Sequence, residues 1–242
     1  MHISFDLYPS YLRSFDDLLP EKVDYRLTYD IYAMRNYEYR EKNGQRLGPF
    51  PQVRKEGSLK LFCRGTKSSR TGGDLRVQHT RSWSTWTNQA HASKQTIDAK
   101  IGYSDNMSSL GQWTLSYHSE PILPVKSYRF HALQKMHQSG FARGRKIEIQ
   151  TLGSPIIRHY ETKNVVCTLY TLIEGLHRNI VSVGPVDYLD DLSIFRPNLE
   201  IVALPDQRVE IDRSFEQLHG FALVGPGLLP LYFWQNTQNC VL

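Results

Sequence analysis

Between residues 22 and 39 the chain alternates as an extended strand must, and it does so for unusually long. Val23, Tyr25, Leu27, Tyr29, Ile31 and Ala33 share one parity, and Tyr37 and Tyr39 continue it. Asp24, Arg26, Thr28 and Asp30 occupy the other. Successive strand side chains point to opposite faces, so this spacing predicts an aromatic, protected row and a charged, wet row. A strand of roughly 15 residues far exceeds the usual ~5–6. Long strands twist and coil, which favours a curled sheet or an open barrel over a flat one.

The same period returns at Leu59 and Leu61, at Leu75, Val77 and His79, and at Trp113, Leu115 and Tyr117. Asn43-Gly44 reads as a hairpin turn, Gly48-Pro49-Phe50-Pro51 as an irregular stretch and the segment 65–73 as a polar loop. Residues 128–136 and 145–152 read as a hairpin turning at Ser139-Gly140. In the tail, Pro205-Asp206 reads as the turn between strands 199–204 and 208–211. Gly225-Pro226-Gly227 separates strands 221–224 and 229–234, and the apolar ending suggests a final strand that reaches the terminus.

Helical spacing appears in three places. Leu12, Phe15, Leu18 and Leu19 lie between a capping Ser10 and a stopping Pro20. Val165, Val166, Leu169, Leu172, Ile173 and Leu176 form one stripe, with Asn164 as the expected cap and His177 and Arg178 at the favourable C-terminal end. Residues 187–195 read as a second short helix ended by Pro197. The expected fold class is mainly β, with α+β possible: a single curled antiparallel sheet or open barrel with two or three covering helices. The general shape resembles lipocalin-like and lipoprotein-carrier-like curled sheets, although no residue motif carries that resemblance. The chain has 242 residues, which suits one β-rich domain spanning 1–242, since such domains run to about 200–250 residues.

Motifs exclude more than they assign. Cys63, Cys167 and Cys240 have no metal or redox spacing, and none of the nine histidines forms a zinc motif. No metal or cofactor is therefore expected. There is no GxSxG elbow, and the loop Gly-Thr-Lys-Ser-Ser-Arg-Thr-Gly-Gly is not a phosphate-binding Walker loop. Asp16-Asp17 and Asp190-Asp191 fall on expected helices, where acids ordinarily face water. No signal peptide or transmembrane helix is coded, so the expectation is a soluble protein, either cytoplasmic or a mature exported segment. A net charge of +5 is mild for a nucleic-acid binder, which makes nucleic acid an unlikely partner.

Two candidate sites remain. Tyr25, Tyr29, Trp113 and Tyr117 could wall an aromatic concavity, with Arg64, Lys67, Arg70 and Arg76 at its mouth for an anionic group. That combination points to a binding protein for a lipid or other amphipathic molecule. His118 and Glu120 share a parity on one strand and could act as base and orienter in an enzyme acting on a carbohydrate or ester. A structural or interaction module pairing through its sheet edges is the third expectation.

Overall fold

The structure is a computed structural model that describes residues 5–9, 25–42, 45–64, 73–85, 88–104, 109–121, 134–211 and 214–241. Nine strands form the first sheet: β1 (Phe5–Pro9), β2 (Tyr25–Lys42), β3 (Gln45–Arg64), β4 (Gly73–Thr85), β5 (Asn88–Ser104), β6 (Ser109–Pro121), β7 (Gln134–Arg143), β8 (Lys146–Thr151) and β9 (Ile157–Glu161). They lie in sequence order, and every pairing is antiparallel. The sheet does not close into a barrel, because β1 and β9 remain its two edges.

A second sheet follows: β10 (Val165–Cys167), β11 (Gly184–Asp190), β12 (Ile194–Ile211), β13 (Ser214–Val224) and β14 (Leu231–Asn236). Strands β10 and β11 are parallel, and the one helix among the described residues, α1 (Leu169–His177), connects them. A parallel pair needs such a crossover, whereas the antiparallel strands need only turns.

The long alternation is a strand from Tyr25 onward and its parity holds from Leu27 to Ile31, while Val23 and the side chains of Ala33, Tyr37 and Tyr39 lie outside the described residues. Leu27, Tyr29 and Ile31 are buried, and Arg26 is exposed. Irregular pairing between Ile31 and Tyr32, and twice more toward Lys42, absorbs extra residues on β2 and β3. Gly48-Pro49-Phe50-Pro51 thus stays within β3 instead of leaving the sheet. Prolines are tolerated in strands at such bulges. Strands β2 and β3 pair from Lys42 and Gln45 on either side of Asn43-Gly44, which lies outside the described residues. So do the expected helix at 10–19 and the loop 65–72.

Several expectations are corrected. The helical stripe begins four residues late. Val165-Val166-Cys167 pairs with Val186-Asp187-Tyr188 as a strand, and the helix starts after Thr168. Thr168 and Thr171 satisfy each other's backbone amides as a capping box, so Asn164 is not the cap. The expected helix at 187–195 is instead β11, a turn and β12. Asp191 and Leu192 adopt positive φ in that turn. The hairpin of β7 and β8 turns after Arg143 at Gly144, with φ +61°, and Ser139-Gly140 lies inside β7. Pro205-Asp206 is a bulge within β12 opposite β13, because pairing resumes beyond it at Gln207 and Leu218. The last strand stops at Asn236, and Val241 returns to bridge Gln235.

One face of the large sheet carries Leu59, Leu61, Leu75, Val77, Ile97, Ile101, Trp113, Ile147 and Ile149 in a core continuous with α1 and the second sheet. From α1 come Tyr170, Leu172, Ile173 and Leu176, and from the second sheet Val186, Tyr188, Leu199, Ile201 and Phe233. The opposite face of the large sheet has no such cover among the described residues.

Asp187 fixes the loop before β10. Its buried carboxyl accepts hydrogen bonds from the Thr162 hydroxyl at 2.5 Å, the Asn164 side chain at 3.1 Å and the Asn198 amide at 2.9 Å. Burial raises its pKa, but the hydrogen bonds from Thr162, Asn198 and Asn164 outweigh this and hold the group below its usual 3.8. Because the folded value is the lower one, this stabilisation is complete above the unfolded carboxyl range. It is lost as pH falls through the folded value. Asp187→Ala should therefore cost about 1–3 kcal/mol at neutral pH. Thermal melts of the two proteins should converge between about pH 5 and pH 2. An undiminished gap at the acid end would contradict this account.

Candidate functional site

The aromatic row of the large sheet is packed. Tyr29 and Trp113 are 3% and 2% exposed and belong to the core. Tyr25 and Tyr117 pack against that core as partly buried side chains. The expected hollow in front of Tyr25 holds α1. Glu174 of that helix is fully buried, and its Oε1 accepts hydrogen bonds from the Tyr25 and Tyr103 hydroxyls, each at 2.7 Å. Arg178 Nη1 lies 3.5 Å from the same oxygen and 3.4 Å from the Tyr103 hydroxyl. Burial, followed by the nearby Glu174 charge, pushes both phenols well above their ordinary range, so they remain hydrogen-bond donors.

A second cross-link ties the helix to the sheet. His79 Nδ1 meets the Tyr170 hydroxyl at 3.1 Å, with the rings edge to face. Burial first, then Arg81, pushes the His79 pKa down to about 3, so the ring is neutral in ordinary buffers. Gly140 makes room for Trp113: a Cβ there would sit 2.2 Å from the indole ring.

The open space lies on the other face. A groove of about 980 Å³ runs across β2 to β9. Tyr25, Cys63, Leu75, Ile101 and Trp113 border it, but their side chains belong to the core side, so they present mainly backbone. The side chains that enter it are one residue along. Strand register places Arg26, Phe62, Arg76, Lys100 and Thr114 side by side. Ser139, Gln150 and Ile157 continue that row, and Asp74, Gln112, Phe141 and Glu148 flank it.

The groove's chemistry is mixed. The Arg26 guanidinium lies 5.5 Å from the Phe62 ring centre, a favourable cation–aromatic distance. Arg76 makes an exposed ion pair with Asp98 at 3.3 Å, a contact that contributes little on its own and can be exchanged for a ligand. Lys100 is exposed, and Phe141 is 42% exposed. Of the four basic residues expected at a ligand mouth, Arg76 lines the groove. Arg64 falls opposite Asp74 in the register, while Lys67 and Arg70 lie outside the described residues.

His118 and Glu120 do meet, with Nε2 and Oε2 3.5 Å apart, and Lys94 Nζ is 3.9 Å from the other carboxyl oxygen. The pair is partly exposed and sits four residues along β6 from Thr114, or about 13 Å. It is therefore separate from the groove. Cys63 and Cys167 are buried and Cys240 is half-buried. Among the described residues, no three histidine, cysteine or acidic side chains converge as a metal site. Nor is any helix there long and apolar enough to cross a membrane.

No family model, curated protein or solved structure matches this chain. The functional reading therefore rests on the groove's own geometry.

Proposed function

We propose that this chain is a binding protein that holds an amphipathic anion in the groove across the face of the large sheet opposite its core. The observation that carries this reading is the union, in one space of about 980 Å³, of apolar Phe62, Phe141 and Ile157 with basic Arg26, Arg76 and Lys100. Ligand sites of about 300–1,000 Å³ that combine apolar walls with a few convergent polar groups are the common pattern. The anionic end lies over β2 to β5, where the three cations stand, and the apolar part extends toward β7 and β9. A lipid is one molecule of this kind.

Anilinonaphthalene sulfonate, a fluorescent anion with an apolar ring system, is the probe. Titration should give a saturable rise in emission. The double variant Arg76→Glu/Lys100→Glu should weaken its affinity by roughly tenfold or more without lowering the melting temperature. Equal titrations of native and variant protein would remove the proposal.

A further inference from the structure

We propose that the groove takes single-stranded nucleic acid, a ligand class that rests on, and narrows, the anionic-groove reading above. Its first support is the order of the side chains. Register sets Arg26, Phe62, Arg76 and Lys100 on four adjacent strands, so an aromatic ring stands between cations along one row. Neighbouring strands are about 4.8 Å apart, which makes the row about 14 Å long. That suits an extended backbone with several charges better than a single headgroup.

The second support is what lies beyond the cations. A fatty chain needs a continuous apolar wall. Here Thr114, Ser139 and Gln150 separate Phe62 from Ile157 along the row. Hydroxyl and amide groups near the half-buried Phe62 and the exposed Phe141 are the kind that hydrogen-bond base edges while rings stack on base faces. On total charge alone, nucleic acid is an unlikely partner, because a net charge of +5 is modest. The register aligns three cations on one face, with Asp74 and Asp98 beside them, an arrangement that total charge does not report.

The test is fluorescence anisotropy of the full chain with a labelled oligothymidylate of about 12 nucleotides. Titrations run from about 50 to 300 mM NaCl. Three cations meeting phosphates should give a slope of log K against log salt near about −2, and Arg76→Gln/Lys100→Gln should bring it to about −0.7. Phe62→Ala, a change on the solvent face, should weaken binding by roughly tenfold. An abasic oligomer of equal length should bind at least that much more weakly. An abasic oligomer that binds as well as oligothymidylate, or an ineffective Phe62→Ala, would overturn the nucleic-acid assignment and leave a polyanion groove. Absent oligonucleotide binding alongside charge-dependent binding of anilinonaphthalene sulfonate would also overturn it, sparing the broader reading. Failure of both probes would remove both.

Discussion

Replacing Trp113 with alanine should lower the unfolding free energy by about 3–5 kcal/mol, the usual cost of emptying a large aromatic site in a core. The indole is 2% exposed and lies in the core cluster on the strand opposite Gly140, where no side chain could share its space. Surrounding strands are held by ladder hydrogen bonds on both sides and cannot collapse far into the gap. Urea unfolding followed by far-ultraviolet circular dichroism measures the change. A Trp113 that served as the wall of an open ligand chamber would behave differently: its loss would spare the midpoint and abolish binding. A shift below about 1 kcal/mol would therefore contradict the packed-core description.

Glu174→Ala is the second large effect, at about 3–5 kcal/mol. The substitution removes the shared acceptor of Tyr25 and Tyr103 and the Arg178 partner in one step. It takes from both phenol hydroxyls the acceptor they share. Glu174→Gln retains the stem and a carbonyl oxygen in that place and should cost about 1 kcal/mol, so it should recover most of the loss seen in Glu174→Ala. A Glu174→Gln loss as large as that of Glu174→Ala would show that a carbonyl acceptor on the same stem does not hold the two phenols, and would contradict this account.

How much of this was legible in the sequence depends on the range of the signal. The protected parity of β2 could be read because it is written in consecutive residues, and Leu27, Tyr29 and Ile31 are buried as the alternation requires. What covers that face was not legible. The contact from Tyr25 to Glu174 spans 149 positions, and that from His79 to Tyr170 spans 91. No local pattern encodes either. A buried glutamate in the middle of a helix looks like an ordinary solvated acid until its partners are known. The groove has the same limitation. Arg26, Phe62, Arg76 and Lys100 each sit on the outward parity of their own strand, so their face could be read. Their alignment in one row depends on register, and the bulges that set register, such as the one beside Ile31, have no reliable local signature. The Val165-Val166-Cys167 segment shows a related ambiguity. Its residues fit the helical stripe, yet β-branched side chains also suit a strand, and pairing with β11 decided the outcome.

The nine-stranded meander has a consequence for how the chain matures. Each of its strands pairs with its sequence neighbour, so hairpins can zip together one after another at small entropic cost. The helix and second sheet that shield its greasy side come from residues 165–236. On a ribosome, the first hairpins can therefore form while the side they must hide still faces water. Folding of this protein should be quick to begin and slow to finish, with an interval in which a chaperone, or an unwanted neighbour, finds that surface first.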